Sequence, residues 1–416
     1  MGKTRRLRVV NQVCENVEQL HRMKTKRNLL QVCLLCPVVL MLSPAGVQAQ
    51  FTYTNADGSI YDYSINADGV SMTITGYTGP PWAVSIPSSI NNLLVTGIGN
   101  GVSPVSSDSL TSLTIPNSVT SIGAGAFVLT GLTCVTIPGS VTNIGGSAFG
   151  GCYNLTNVTI PSSVTSIGAY AFTRCYDLTD VTLADGVSSL ASYMFYMAGV
   201  HSVTIPGSVT NIGQGVFMNC DLRNVTICNG VPSIGTSMFE QSSLTSVTIP
   251  GSVTNIGDSA FFECTGLASV TIPASVTSIG VEAFNTCTRL TNVYFQGDAP
   301  SALTLEEFLV FQGDNNVTLY YLPGTSGWSS PFAGLRAMLW NPLIQNGDGS
   351  FGVHNNTFGF NITGTINIPI VVEACTNLAN PAWTPLQTLN LTNGSFYFND
   401  AQWTNYPEQF YRVRSP

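Results

Sequence analysis

The feature that most constrains this chain is an internal repeat. The stretch LTSVTIPGSVTNIGDSAF, from Leu244 to Phe261, occurs almost unchanged as LTSLTIPNSVTSIGAGAF from Leu110 to Phe127. Copies recur every 22 or 23 residues, and a degenerate copy precedes them at Val84. We number the nine full copies coils 1 to 9; they begin at Leu110, Leu132, Leu155, Leu178, Val200, Leu222, Leu244, Leu267 and Leu290. A fixed period of this length is typical of a solenoid, in which each unit stacks on the next.

The repeat unit, L-x-x-V-x-I-P-x-S-V-T-x-I-G-x-x-A-F-x-x-C, predicts the path of one coil. Its alternating Leu, Val and Ile side chains favour a short strand, which proline ends because it lacks a backbone N–H. In coil 7, Val253 and Ile256 then return the chain to the core, and Gly257 turns it. The ring of Phe261 follows and points to the centre. Because one unit buries too little apolar surface alone, the units must stack, which predicts a mainly β solenoid of about nine coils with short parallel strands over residues 84–295.

This repeat resembles that of the BspA-like (treponemal-type) leucine-rich repeat proteins. The shared elements are L-x-x-V-x-I-P, V-x-x-I-G and A-F-x-x-C, and they recur in register over about residues 84–295. The resemblance implies a leucine-rich repeat fold, export to or near a bacterial surface, adhesion or protein binding, and no catalytic residues. Coils 4 and 6 lack the strand-ending proline, which predicts local irregularity of the solenoid there.

The two ends of the repeat region need caps, because a solenoid otherwise exposes its core. Residues 50–83 place Asp57-Gly58 and Asp68-Gly69 between stretches rich in Tyr, Thr, Ile and Val, which predicts a small antiparallel N-terminal cap. The rhythm fails after residue 295, so we interpret 296–342 as a C-terminal cap and 343–349 as a linker. Residues 350–416 contain strands joined by short turns, which predicts a separate small β-sandwich-like domain.

The first 49 residues read as a secretory signal peptide, with Met23 as an alternative start. A basic segment leads into an apolar run over 29–42, and the small-residue site VQA follows at 47–49. A retained membrane anchor is the competing interpretation, although Pro37 interrupts the run and leaves it short for a span. No later stretch is apolar enough to cross a bilayer. The sequence therefore predicts a secreted or cell-surface protein without a transmembrane segment after cleavage.

Charge and motifs exclude several classes of function. Beyond residue 50 the chain holds six arginines and no lysine against twenty acidic residues, a balance of −14. Such a chain cannot neutralise a phosphate backbone, so nucleic acid is not expected as a partner. No metalloprotease, nucleophile-elbow or phosphate-loop motif occurs, and His201 and His354 fall in different predicted domains. We therefore predict a protein that is not an enzyme and has no cofactor and no metal.

Five cysteines follow the repeat phenylalanine by three residues, where other coils hold Thr, Ala or Ser. The favoured interpretation is a buried column in which only a small side chain fits. Neighbours one coil apart are also near disulfide distance, so bonds in an oxidising compartment are a second interpretation. Metal binding by one cysteine per coil is the third. The five are Cys152, Cys175, Cys220, Cys264 and Cys287, and the neighbouring pairs are Cys152 with Cys175 and Cys264 with Cys287.

A column of threonines lies on the predicted strands, one residue before the last apolar position in coils 1 to 8. Threonine ladders occur on ice-binding solenoids, which makes ice a conceivable ligand. Those proteins usually place two threonines two residues apart on one strand, whereas here Thr245 and Thr248 are three apart. Threonine also suits any exposed strand, so the column needs no ligand to explain it.

The candidate ligand-binding patch is a group of tyrosines on adjacent coils. Tyr170 and Tyr193 share one repeat position, and Tyr153 and Tyr176 share another. Stacked coils should therefore bring these rings together, whereas most of the remaining face lacks the Tyr, Trp and Arg anchors of binding sites. The alternative is that the rings are partly buried turn packing. The predicted patch comprises Tyr153, Tyr170, Arg174, Tyr176, Tyr193 and Tyr196.

The predicted function is that of an exported, non-enzymatic repeat scaffold. It would mediate protein binding or adhesion at a bacterial cell surface, with an unidentified extracellular protein or glycan as partner. A structural surface or matrix component without a tight ligand is one alternative. A carbohydrate-binding accessory protein is the other, and contacts at the tyrosines or at Trp328 and Trp340 would favour it.

Overall fold

A computed structural model describes residues 49–102, 108–300, 310–314, 316–332 and 334–414. The predicted signal peptide over 1–49 lies outside the described residues except for its last position. Two Asp-Gly turns then shape the chain, with positive φ at Gly58 and Gly69 and with Asp57 and Asp68 accepting hydrogen bonds from backbone N–H groups. They connect an antiparallel meander, β1–β2–β3, which the degenerate copy before coil 1 joins in parallel through β6. The strands are β1 Phe51–Thr54, β2 Ile60–Ile65, β3 Ser71–Thr78, β4 Ala83–Ser85, β5 Ser89–Ile90 and β6 Leu93–Ile98.

Each following coil contributes up to two short strands, and both kinds pair in parallel with their counterparts in neighbouring coils. The first strand carries the V-x-I residues, and the second carries the apolar residue before the repeat glycine. The strands are β7 Ser112–Thr114, β8 Ser121–Ile122, β9 Asn143–Ile144, β10 Asn157–Ile160, β11 Ser166–Ile167, β12 Asp180–Leu183, β13 Ser189–Leu190, β14 Ser202–Ile205, β15 Asn211–Ile212, β16 Asn224–Ile227, β17 Ser233–Ile234, β18 Asn255–Ile256, β19 Ser269–Ile272, β20 Ser278–Ile279 and β21 Asn292–Phe295. The predicted mainly β solenoid with short parallel strands is confirmed.

The centre of the solenoid is a stack of nine phenylalanine rings, which we call the phenylalanine column. Neighbouring ring centroids lie 5.1 to 6.1 Å apart. Hydrogen bonds between coils hold the spacing: the N–H of Phe149, for example, donates to the carbonyl oxygen of Ala171 at 2.9 Å. The first eight rings are at most 1% exposed, so they form the bulk of the core. The column comprises Phe127, Phe149, Phe172, Phe195, Phe217, Phe239, Phe261, Phe284 and Phe311.

Coils 4 and 6, which lack the strand-ending proline, have complete four-residue ladders to their preceding coils. Strands β10 and β12 pair over four residues, as do β14 and β16. At the proline position of coil 4, the N–H of Ala184 donates to the carbonyl oxygen of Ile160 at 3.0 Å. In coil 6 the N–H of Cys228 donates to Ile205 at the same distance. The prediction of local irregularity in these coils is wrong, because a residue with a free N–H extends the ladder that proline would end.

Proline has the opposite effect at other junctions of this sheet. Strand β14 is followed by Pro206, and it pairs with β12 at Asp180–Ser202 alone. Coils 2 and 3 meet at one isolated bridge, as do coils 7 and 8. The longest register before a proline is the three-residue pairing of β4 with β7. Neighbouring coils of this sheet are therefore joined either by a four-residue ladder, which we call a closed junction, or by a shorter one, which we call an open junction. The residue at the proline position of each coil decides between the two.

The parallel ladder continues beyond residue 295. Strand β21 pairs in parallel with β22 Thr318–Tyr321, which pairs with β23 Arg336–Leu339. On this extension Tyr294 and Tyr320 occupy the place of the exposed threonines, and their rings stack at 5.0 Å. Both tyrosines are buried, because they share a hydrophobic cluster with the C-terminal strands.

The C-terminal region consists of two antiparallel sheets, in agreement with the predicted fold class. Phe360, Ile370 and Phe398 form the centre of its core, together with Tyr294 and Tyr320 of the solenoid. The region therefore packs directly on the last coils. Its elements are β24 Leu343–Ile344, β25 Gly352–His354, β26 Thr357–Thr363, β27 Pro369–Cys375, β28 Thr384–Asn390, β29 Ser395–Asp400, the 3-10 helix Trp403–Asn405 and β30 Phe410–Arg414. Strand β24 belongs to these sheets although it lies in the segment predicted as a linker.

Candidate functional site

Two tyrosines form an exposed stack on the turns that lead into coils 3 and 4. The turns of 23-residue coils contain one residue more than those of 22-residue coils, and Tyr153 and Tyr176 occupy this longer turn. Their ring centroids lie 5.4 Å apart and their planes differ by 6°. Tyr153 is 38% exposed and Tyr176 is 52% exposed. We call this pair the outer stack.

Glycines flank the outer stack on both sides. The shorter turn before it carries Gly131, and the shorter turn after it carries Gly199. A Cβ atom on Gly199 would lie 2.0 Å from the carbonyl oxygen of Tyr176, and one on Gly131 would lie 2.1 Å from that of Asp108. Backbone approach this close admits only glycine. The outer stack therefore stands between two turns without side chains, and its outer ring faces are open to a ligand.

A second group of rings, the inner stack, lies on the turns of coils 3 and 4 just before the phenylalanines. The rings of Tyr170 and Tyr193 lie 5.0 Å apart with planes that differ by 10°, and Tyr196 packs edge-on against Tyr193 at 5.9 Å. All three are half-buried. The stack ends over Gly215, where a Cβ atom would lie 2.6 Å from the ring of Tyr193.

The inner stack places bulky residues in a left-handed backbone conformation. Tyr170 has φ of 62° and Tyr193 has φ of 57°, and their N–H groups donate to carbonyl oxygens of the next coil. The same turn position holds glycine in coils 1 and 5 and serine in coils 2, 6 and 7. A non-glycine residue in this region costs about 1–2 kcal/mol, and the turn forms without an aromatic ring. Ser147, Ser237 and Ser259 have the same positive φ at this position, so the conformation belongs to the repeat turn and the rings are an addition to it.

Arg174 lies in the coil 3 turn, between the inner stack and the outer stack. Its φ is 56°, it is half-buried, and its N–H donates to the carbonyl oxygen of Tyr196 at 2.8 Å. The buried residue Cys175 separates it from Tyr176 along the chain. The structure thus pairs Tyr170 with Tyr193 and Tyr153 with Tyr176, on the two sides of this turn. That all six residues act as one ligand-binding patch stays a prediction.

A groove lies at the open junction between β12 and β14, the strands that follow Tyr176 and Gly199 in the chain. It has a volume of about 250 Å³. Its buried apolar lining is Val181, Leu183 and Val203, and its polar lining is Thr182, Ser202, Thr204, Asn224 and Thr226. Sequence reasoning missed this groove. The sequence signal that could have revealed it is a contrast between neighbouring coils: proline follows β14 at Pro206, whereas Ala184 follows β12.

The residues that line the groove are all uncharged. A small charged group precedes two of its strands, with His201 before β14 and with Asp221 and Arg223 before β16. His201 Nε2 lies 3.2 Å from Asp221, and Arg223 donates to the same carboxylate at 2.6 Å. The hydrogen bond from Arg223, followed by one from Ser243, lowers the pKa of Asp221. No group of three or more His, Cys, Asp or Glu side chains that could hold a metal ion occurs among the residues described. The arrangement is suited to hydrogen bonding and ring stacking.

The cysteine column is buried, as its favoured interpretation predicted. All five members are free thiols, including the two pairs considered for disulfides. Thr130 Oγ1 and Cys152 Sγ lie 3.1 Å apart, so the column is also hydrogen-bonded between coils. Burial raises the pKa of Cys220 to about 12 and that of Cys264 to about 11, so both are unreactive at neutral pH.

The column ends in a residue that sequence reasoning missed. Asp314 follows Phe311 by three residues, the same offset as the cysteines. It is 3% exposed, and neither of its carboxylate oxygens has a hydrogen-bond partner among the residues that the structure describes. Burial raises its pKa to about 7. The repeat rhythm is lost around this residue, so its place in the column is visible in the structure alone.

The two tryptophans considered as carbohydrate contacts are half-buried and take part in internal packing. The ring of Trp328 packs against Phe295, Tyr321 and Phe332 at centroid distances of 4.8 to 5.2 Å. Trp340 donates from Nε1 to the carbonyl oxygen of Pro369 at 2.9 Å, which ties the C-terminal region to the last coil. Both side chains belong to internal packing, and the tyrosines remain the better candidates for ligand contact.

The strands, the phenylalanine column and the paired turns define a leucine-rich repeat solenoid. The model of the BspA type leucine rich repeat region matches six copies, over residues 105–221 and 189–302. Residues 105–302 of the chain therefore form a leucine-rich repeat region of the BspA type. Searching the part of the chain that the structure describes reveals no helix with the length and apolarity of a membrane span.

Solved structures that resemble the chain include leucine-rich repeat proteins of bacteria. A leucine rich cell surface protein from Faecalibacterium prausnitzii A2-165 is 27% identical, with 70% of this chain and 94% of that chain covered and a TM-score of 0.42. A leucine-rich repeat protein from T. pallidum is 28% identical, with 55% and 87% covered and a TM-score of 0.35. The pneumococcal vaccine antigen PcpA is 13% identical, with 71% and 95% covered and a TM-score of 0.43. No curated protein matches the chain.

Proposed function

We propose that this protein is an exported recognition scaffold that binds an extracellular protein or glycan through its tyrosines. Export is supplied by the signal peptide predicted over residues 1–49. The solenoid supplies a rigid frame, because each coil is bonded to its neighbours through backbone hydrogen bonds on several sides. Presentation at a bacterial cell surface follows from the kind of protein that carries this repeat.

The observation that carries the proposal is the placement of the tyrosines. The turns with serine or glycine at the inner-stack position form the same backbone, so the fold does not require rings at Tyr170 and Tyr193. Tyrosine nevertheless occurs there in two adjacent coils, beside the exposed outer stack. Concentrated aromatic side chains of this kind supply most of the binding energy in recognition sites.

Binding of the purified protein to immobilised extracellular-matrix proteins and polysaccharides tests the proposal. We expect saturable binding that the double variant Tyr170→Ser/Tyr193→Ser weakens at least tenfold. Serine is the residue of coils 2, 6 and 7 at this position, so the variant should fold normally. The control variant Tyr397→Ser/Tyr406→Ser removes two exposed tyrosines of the C-terminal region and should bind like the original protein.

Two outcomes would count against the proposal. Binding that is unchanged in the Tyr170→Ser/Tyr193→Ser variant would assign these rings to turn packing. A folded protein without saturable binding to any probe would favour a structural surface component instead.

A further inference from the structure

We infer that the junction between coils 4 and 5 is a binding site for a neutral oligosaccharide. The inference rests on the proposed recognition function and specifies the ligand class of one part of it. Three features meet at this junction: the open face of Tyr176, the turn at Gly199, and the groove between β12 and β14.

The open ring face of Tyr176 offers a platform for a sugar ring. One face of this ring is covered by Tyr153, and the side chain is 52% exposed. The equivalent position of the next coil is Gly199, which has no side chain to continue the stack. A pyranose presents an apolar C–H face that packs on an aromatic ring, while its hydroxyl groups point outward. A flat exposed ring followed by a glycine at the equivalent position of the next coil provides the space and the contact that such a ligand needs.

The groove continues from this platform along the same junction. Tyr176 precedes β12 by four residues and Gly199 precedes β14 by three, so both turns lead directly into the strands that line the groove. Tyr176 and Asp177 lie in a turn, and the strand that follows, Asp180–Leu183, by itself spans about 13 Å. The site therefore has the length for several linked sugars rather than one.

The lining of the groove favours a neutral, hydroxyl-rich ligand. Thr182, Ser202, Thr204, Asn224 and Thr226 supply hydroxyl and amide groups, each able to donate and accept hydrogen bonds. No charged side chain lines it. Asp180 directly precedes the lining residue Val181, Asp177 lies four residues before it, and both are exposed carboxylates that disfavour acidic glycans. A peptide would need deeper apolar pockets than the buried floor of valine and leucine provides.

The site depends on an open junction, and Pro206 keeps it open. The residues equivalent to Pro206 in coils 4 and 6 donate their N–H groups to the preceding coil and close the ladder. An alanine at position 206 would have an N–H able to reach the carbonyl oxygen of Leu183 in the same way. Pro206→Ala is therefore expected to close the groove without altering any side chain that lines it.

Calorimetric titration of the full protein with a panel of tetrasaccharides tests this inference. The neutral probes are cellotetraose, xylotetraose, mannotetraose and chitotetraose, and the acidic probe is tetragalacturonic acid. We expect at least one neutral probe to bind saturably and the acidic probe to bind at least tenfold more weakly. Tyr176→Thr and Pro206→Ala should each weaken neutral binding at least tenfold. Threonine stands at the position of Tyr176 in coils 7 and 8, so this variant should fold normally.

Tyr397→Ser is the matched control, since it removes an exposed tyrosine away from the junction and should not alter binding. The inference fails if no neutral probe binds, if the acidic probe binds as tightly, or if binding survives both junction variants. Protein binding that is lost in the Tyr170→Ser/Tyr193→Ser variant would, in that event, preserve the proposed function and overturn the sugar site alone. If the original protein binds no probe saturably, both the proposed function and the sugar site are overturned.

Discussion

Two sets of stacked rings run along the same solenoid, and only one of them is needed for the fold. The phenylalanine column is almost fully buried and passes through every coil from Phe127 to Phe311. The tyrosine stacks have similar ring spacings, 5.0 and 5.4 Å, but they are confined to turns of neighbouring coils and remain accessible. Coil spacing imposes the stacking in both cases. Burial is what separates a structural ring from one that is free to contact a ligand.

The largest expected effect comes from breaking the phenylalanine column. Phe172→Ala would remove a fully buried ring stacked on both sides, at a cost of about 3–5 kcal/mol in the free energy of unfolding. Tyr170→Ser in the same coil should cost about 1 kcal/mol or less, because the lost stacking is partly exposed. Urea unfolding of both variants measures the difference. Equal losses would show that the tyrosines are also core residues.

A smaller effect is expected at Asp314, where the column ends. Its pKa is near 7 in the folded protein and near 3.8 when unfolded, so the unfolded state ionises first as the pH rises. The free energy of unfolding should therefore fall between about pH 4 and pH 7 and stay low above that range. Asp314→Asn removes this loss and should stabilise the protein by on the order of 2 kcal/mol at pH 8.

Urea unfolding at pH 3.5 and at pH 8 tests this behaviour. The variant and the original protein should have nearly equal free energies of unfolding at the lower pH, since the carboxyl is then protonated in both states. A variant that is less stable at pH 8 would mean that the carboxylate has a stabilising partner.

The smallest expected effects distinguish open from closed junctions. Ala184→Pro removes the hydrogen bond to Ile160 and should lower the free energy of unfolding by about 1 kcal/mol. Pro206→Ala allows a new bond and should raise it by a similar amount, which is also the change expected to close the groove. Hydrogen exchange of the amides in β12 and β14 measures the closure. Unchanged hydrogen exchange in both variants would show that proline does not control whether the groove is open.

The sequence predicted the repeating parts of this molecule well. The period of 22 or 23 residues is enough to stack the coils, align their strands and place one phenylalanine per coil in the centre. It also pairs Tyr170 with Tyr193 and Tyr153 with Tyr176, because equivalent positions in adjacent coils must meet. The effect of losing the proline was predicted wrongly: irregularity was expected in coils 4 and 6, whereas their ladders are complete. The prediction considered the proline within its own strand and not against the carbonyl groups of the preceding coil.

What the sequence by itself determined is thus the solenoid, its core and the pairing of equivalent side chains, since periodicity converts one local rule into a whole structure. The tertiary structure alone decided the rest. It showed that β12 and β14 separate after the single pair Asp180–Ser202, that Asp314 lies buried at the end of the cysteine column, and that the C-terminal sheets cover Tyr294 and Tyr320. These features depend on contacts between coils or between regions that do not repeat. A local pattern carries no information about such contacts, because their energies arise only when distant segments meet.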